Sequence, residues 1–163
     1  MKKPALIREL LEKAIPNLAT NPERLSIFVE HGGITSTGTP SLSFEYRYTV
    51  IIGLVDFNDS PDVAIVPLVA WIKTNQPDLF TNPATADKAF RFEAEILNHQ
   101  TANIEIQIDL SESIRVTGQT IDGVNRLQTY HVGEPTLALP GHVAEMVDLD
   151  AEWHVTPISE PPA

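Results

Sequence analysis

The chain has 163 residues, 22 acidic and 11 basic side chains, a net charge of −11 and no cysteine. This length suits a single domain, and the acidic excess opposes binding to the phosphate backbone of nucleic acids. The lack of cysteine excludes disulfides, thiolate zinc sites and cysteine nucleophiles. The longest apolar run covers residues 50–55, against the roughly 20 residues of a membrane-spanning helix, so we expect no membrane partner.

The first third of the chain predicts a helix followed by a long β-hairpin. Apolar residues three and four apart predict the helix over residues 4–15, and its charged side chains argue against a signal peptide. Alternation predicts strands over 25–30 and 42–54. The glycine-rich residues 31–40 between them predict a mobile connection longer than a tight hairpin turn.

The remainder predicts a second helix and three more strands. Ser60 and Pro61 indicate the start of a core helix over 61–75. The cleanest alternation covers 104–110, and we expect this strand to pair antiparallel with 90–96. A fifth strand over 124–132 follows the turn Asp122-Gly123. The fold class is therefore α+β: an antiparallel sheet with a long hairpin, packed by two helices.

The predicted domain organisation is a core over residues 1–116 and a C-terminal extension of the same domain over 117–163. The extension combines the fifth strand, an acidic insertion and a proline-rich terminus. Residues 134–163 contain six acidic side chains and no lysine or arginine, and they end in Ile158-Ser159-Glu160-Pro161-Pro162-Ala163. Because prolines withhold backbone donors and like charges repel, the end of the chain predicts an extended arm.

Few residues are spaced for chemistry. The oxygen-rich residues 56–62 fail the calcium-loop register, since Pro61 and Pro67 stand where glycine and glutamate belong. His142 and Glu145 form only half of a metal motif. No Gly-x-Ser-x-Gly elbow or phosphate-binding glycine loop is present. The prediction is no enzyme, no cofactor and no metal, with a metal-binding or enzymatic module using Asp56 to Asp62 as an alternative.

The sequence resembles the phage tail completion protein R (GpR) family of temperate phages with contractile tails. The resemblance is carried by Thr20-Asn21-Pro22, Leu25-x-Ile27-Phe28-Val29, Ser41-Leu42-Ser43-Phe44-Glu45-x-Arg47-Tyr48-Thr49, Asp56-Phe57, Ile65-Val66-Pro67-x-x-Ala70-Trp71, Asn75-Gln76-Pro77-Asp78, His154-Val155 and Ile158-Ser159-Glu160-Pro161-Pro162. It covers about residues 4–112 and the terminus. Residues 117–152 depart from the family pattern and resemble an insertion.

The resemblance implies a structural protein of a phage or prophage virion tail, assembled in the bacterial cytoplasm. Its implied role is to cap the head-proximal end of the tail tube and allow head joining. By analogy, it implies a tail-terminator-like fold and a homo-oligomeric ring of six. The implied partners are tail tube and sheath proteins and head-tail connector or completion proteins, with DNA passing through the ring unbound. A capsid-less, tail-like bacterial particle is an alternative setting.

The aromatic stripe Phe44, Tyr46 and Tyr48 is consistent with either an ordinary core or an intersubunit surface, because aromatic residues suit both. A ring needs a contact between unlike patches, and the rim of a long strand donates backbone hydrogen bonds to a neighbour. We therefore expect an interface at Ser41, Phe44, Tyr46 and Tyr48, and a docking arm at Ile158, Pro161 and Pro162.

Overall fold

The computed structural model describes residues 1–134 and 149–157. Its helices are α1 (Lys3–Ala14), α2 (Pro16–Thr20), α3 (Asp62–Asn75), α4 (Asp78–Thr81) and α5 (Ala86–Ala89), with a 3₁₀ turn at Pro22–Arg24. Its strands are β1 (Leu25–Ser36), β2 (Phe44–Phe57), β3 (Phe90–Ile96), β4 (Ala102–Ile121) and β5 (Val124–His131). The α+β fold class is confirmed. None of the helices in the described part of the chain is long and apolar enough to cross a bilayer.

The five strands form one antiparallel sheet in the order β1-β2-β4-β3, and β5 also pairs with β4. β3 pairs with residues 102–108 of β4, and β5 pairs with residues 114–121. Both lie along the edge of β4 that faces away from β2, one at each end. The predicted pairing of the strands at 90–96 and 104–110 is confirmed.

Both predicted long helices are present, and they pack against each other. Their apolar residues cover one face of the sheet, where alternate residues of β2 and β4 are buried. The fully buried centre of this core consists of Ile7, Leu11, Val50, Ile52, Leu54, Pro67, Leu68, Ile72, Ile106 and Ile108. At about 1.5–3 kcal/mol per fully buried aliphatic side chain, this core supplies the principal driving force for folding.

The first hairpin differs from the prediction. Residues 31–36, expected to be a mobile connection, continue β1 as far as Ser36. His31 adopts a positive φ of 52°, and the ladder shifts register between Glu30 and Gly33. This β-bulge absorbs the irregular residues, so that pairing resumes between Gly33 and Arg47. The connection proper is therefore residues 37–43.

The second hairpin confirms the predicted fifth strand. Asp122 and Gly123 both have positive φ, 51° and 76°, as a two-residue type I′ turn requires. β4 continues without interruption past residue 116, where the predicted core ends. At about 3.4 Å per residue, the eight paired positions beyond Ser113 give an arm roughly 25 Å long. Below, "the arm" means residues 115–131.

Candidate assembly interface

The connection of the β1–β2 hairpin places Ser41 at the surface. The Ser43 backbone N–H donates to Ser41 Oγ at 3.2 Å, which orders the entry to β2. Two large apolar side chains of this hairpin are strongly exposed: Ile34, which pairs with Tyr46 near the end of β1, at 69%, and Leu42 of the connection at 61%. Large exposed apolar side chains near the end of a hairpin are typical of a surface that contacts another protein.

The aromatic stripe runs from this surface into the core. Phe44 and Tyr46 are half-buried and pack edge to face, with ring centroids 5.0 Å apart and an interplanar angle of 89°. Tyr48 is only 4% exposed and belongs to the core. Its ring therefore offers no surface to a neighbouring subunit, and the predicted interface is reduced to Ser41, Phe44 and Tyr46. Ile158, Pro161 and Pro162 lie outside the described residues.

A groove separates the first hairpin from the base of the arm. Its volume is about 460 Å³, and Ser41, Phe44 and Arg115 are among its lining residues. The Val116 backbone N–H donates to Ser43 Oγ at 3.1 Å, so the two hairpins are also directly joined. The groove, the hairpin tip and the arm therefore form one continuous surface at this end of the sheet.

A buried carboxylate lies beneath this surface. Glu112 is 4% exposed and lies on the core face of β4. The Lys2 N–H donates to its two oxygens at 3.0 and 2.8 Å, and the Lys3 N–H donates at 3.2 Å. The Tyr48 hydroxyl donates to Oε1, and His131 Nδ1 lies 3.0 Å from Oε2. Glu112 therefore caps the start of α1 and joins that helix to β2 and β5.

The protonation of this cluster follows from its contacts. Burial pushes the pKa of Glu112 upward, but hydrogen bonds from Tyr48, Lys2 and Lys3, together with the N-terminal amine, lower it below the usual value of 4.5. The pKa of the Tyr48 hydroxyl is raised, first by burial and then by its hydrogen bond to Glu112 and the charge of that residue. At neutral pH the pair is a carboxylate and a neutral phenol.

Between the residues of β4 that pair with β3 and those that pair with β5, the backbone of Ser111 contacts the side chains of Lys3 and Gln76. Lys3 Nζ donates to Gln76 Oε1 at 2.6 Å, to the Ser111 carbonyl at 2.8 Å and to Glu134 Oε1 at 2.6 Å. The Ser111 N–H donates to Gln76 Oε1 at 3.1 Å. The side chains of Lys3 and Gln76 thus satisfy the backbone of Ser111 in place of a neighbouring strand, and all three ammonium protons have an acceptor.

The sequence contains one signal for this cluster. Continuing the alternation of β4 beyond Leu110 places Glu112 on the apolar face, ahead of Ile114. A carboxylate in the apolar register of a strand needs hydrogen-bond donors. No pattern in the sequence identifies those donors, because they come from residues about 60 to 110 positions away.

The candidate residues for chemistry that the structure describes lie at the surface. A cleft of about 630 Å³ is open and lined mainly by polar side chains, among them Arg47, Thr49 and Asp109. Asp56, Asp59 and Asp62 are exposed. Within residues 1–134 and 149–157, no three histidine or acidic side chains are grouped to hold a metal ion. His142 and Glu145 lie outside these ranges.

The comparisons with known proteins decide the family. The family model for P2 phage tail completion protein R (GpR) matches residues 1–135. This chain belongs to that family. Tail completion protein R of Escherichia phage P2 is 41% identical over 135 residues, covering 83% of this chain and 84% of that protein. No solved structure matches the chain.

The GpR match corrects one expectation about the extent of the resemblance. Residues 117–135, expected to depart from the family pattern, are matched by the GpR model. The expected departure is therefore wrong for that range, which includes most of the arm. The arm belongs to the part of the chain shared with GpR proteins.

Proposed function

We propose that this chain is a structural protein that completes the head-proximal end of a phage tail and allows the head to join. The observation that carries the proposal is its 41% identity with tail completion protein R of phage P2 over most of both chains. Its place of action is the virion tail, after assembly in the host cytoplasm. No catalytic step is part of this role.

The role requires the protein to bind copies of itself and other tail components. We propose a homo-oligomeric ring on the tail tube, six-fold by analogy with tail terminators, in contact with sheath and connector proteins. The exposed tip around Ser41, Ile34 and Leu42 supports this, because it presents apolar side chains and a free strand rim. The net charge of −11 suits a ring through which DNA passes without binding.

Deleting the gene from its phage or prophage tests the role. Electron microscopy of the lysate should show headless tails and unattached heads, and plasmid-borne wild-type protein should restore joined particles. Normal virions in the deletion lysate would refute the role. If tails without the protein are defective but no capsids are ever produced by the intact element, the capsid-less particle is the correct setting.

The hairpin tip is tested by Ile34→Asp with Leu42→Asp. We expect the double variant to fold normally but to lose ring formation and complementation, because two charges replace exposed apolar contacts. Phe28→Asp is the matched control, since Phe28 is also exposed, at 46%, but lies on the opposite face of β1. Equal activity of the tip variant and wild type would exclude this surface.

The predicted docking role of the C-terminal segment is tested by deleting residues 158–163. The expected result is a protein that still binds tail tubes but no longer supports head joining, because the deleted prolyl segment contacts a separate component. Unimpaired head joining by the truncated protein would show that residues 158–163 are not a docking segment.

A further inference from the structure

Within the described residues, the arm carries several large apolar side chains that are exposed to solvent. All eight residues of β5 are exposed, and in the described part of the chain β5 pairs with β4 alone. Five large apolar side chains in and around the arm are 38–53% exposed: Ile121, Val124, Leu127, Tyr130 and Val132. Apolar side chains held on a projecting hairpin are typical of an element that docks on another protein.

The opposite end of the same sheet presents a complementary surface at β3. Among residues 1–134 and 149–157, β3 is an edge strand, and one side of its backbone has no strand partner there. Phe92 and Ile96 on one face are 60% and 74% exposed. Beside them, an apolar groove of about 310 Å³ is lined by Ile65, Phe92 and Ile104. A free edge next to exposed apolar side chains can accept an added strand.

The charges of the arm and of the β3 surface are also complementary. Glu93 of β3 stands directly opposite Glu105 of β4, and like charges in that position repel. Within the described ranges, neither Glu93 nor Glu105 forms an ion pair with a basic side chain. In the same ranges, Arg115 and Arg126 of the arm form no ion pair with an acidic side chain. The arm has two arginines and one aspartate, a charge of +1 on a chain of −11.

The arm cannot reach β3 of its own chain. Both strands pair with the same edge of β4, collinear with each other, and Gln76 and Lys3 occupy the interval between them at Ser111. The arm therefore extends along the sheet away from its own β3. The complementary surface that it meets must belong to another molecule.

We propose that the arm of one copy docks along the β3 edge of a second copy, with β5 added as a strand beside β3. The alternation of the two strands allows Leu127 to share a face with Phe92. Arg126 then lies on the face of Glu93, together with Val124 and Tyr130. This inference rests on the self-assembly in the proposed function and names its contact. Because the two patches differ, the contact is head-to-tail, and repeating it builds a ring when its rotation closes around an axis.

Charge exchange tests the contact without fixing its register. Arg126→Glu and Glu93→Arg should each weaken self-association about tenfold, measured by sedimentation over a concentration series and on isolated tail tubes. The combined variant restores the opposite pair and should recover association. Lys73→Glu and Glu9→Arg make the same charge changes on exposed positions of α3 and α1, and they should leave association unchanged. If the combined variant associates no better than expected from the sum of the two single effects, the proposed contact between Arg126 and Glu93 is wrong.

Cysteine cross-linking supplies the second readout, since the chain has no cysteine of its own. Thr129→Cys in the arm and Ala94→Cys in β3 are prepared as separate proteins, mixed and oxidised. We expect a disulfide-linked dimer from the mixture and little from either protein alone. Arm-to-arm dimers, or cross-linking of the arm to a tube protein instead, would overturn the contact while leaving tail completion intact. Monomers that bind tail tubes singly would overturn the ring itself.

Discussion

Replacing Glu112 with glutamine perturbs the carboxylate that joins three elements of the fold. The side chain keeps its size, but one oxygen becomes an NH₂ group and the negative charge is lost. The Lys2 and Lys3 N–H groups, the Tyr48 hydroxyl and the His131 imidazole surround it, so at least one donor then faces another donor. The site is 4% exposed, which leaves water little access to compensate.

The expected loss in free energy of unfolding is about 2–4 kcal/mol. A hydrogen bond to a charged group contributes about 1.5–3 kcal/mol, and the substitution weakens or removes one or two of them. Total stability of a domain is about 5–15 kcal/mol, so this loss is readily measured. Tyr48→Phe removes a single donor to the carboxylate and should cost about 1.5–3 kcal/mol.

Urea denaturation followed by tryptophan fluorescence measures the effect, because Trp71 is buried in the core. Glu9→Gln makes the same substitution on the exposed side of α1 and should change stability by less than about 0.5 kcal/mol. If Glu112→Gln is as stable as this control, the carboxylate does not hold α1, β2 and β5 together.

The same variant carries a pH prediction. Because folding lowers the pKa of Glu112, its stabilisation is present above the ordinary carboxyl pKa of 4.5 and is lost as pH falls through the lower folded value. Wild-type protein should therefore lose stability on acidification below about pH 4.5 more steeply than Glu112→Gln. Parallel stability curves for the two proteins between neutral and acid pH would contradict this assignment.

The remaining predictions concern the strand gap, the arm and the C-terminal segment. Gln76→Leu should cost about 2 kcal/mol, because it leaves the Ser111 N–H and one proton of Lys3 Nζ without acceptors; thermal unfolding checks this. Gly118→Ala should unfold the arm and abolish self-association while the core stays intact, because the new Cβ would lie 2.2 Å from the Arg126 carbonyl oxygen. Hydrogen exchange resolves the arm from the core, with Gly38→Ala as a control that meets no atom within 4 Å. Trp153→Ala should cost about 2 kcal/mol, since Trp153 packs on the core; stability equal to wild type would show that residues 149–157 are not anchored.

Periodicity located α1 and the centre of β4, because each of these elements has one face in the core and one in water. The apolar positions in the alternation of residues 104–110 and in the helical spacing of residues 4–15 are the ones that face the core, and both elements are present. The turn at Asp122-Gly123 was also predictable, since its conformation depends on those two residues alone. The continuation of β1 to Ser36 was not, because pairing with β2 across the bulge at His31 overrides the glycine-rich composition.

The sequence by itself determined the α+β class, the order of the strands along the chain and, through its motifs, the family. These features depend on patterns among residues that are close together in the chain. Only the tertiary structure decided what becomes of particular polar and aromatic residues. It buried Tyr48 against Glu112, placed Gln76 and Lys3 where a strand is missing from the edge of β4, and left the arm and β3 exposed at opposite ends of the sheet. The physical reason is that burial and hydrogen bonding join residues far apart in the chain, and no local spacing encodes which of them meet.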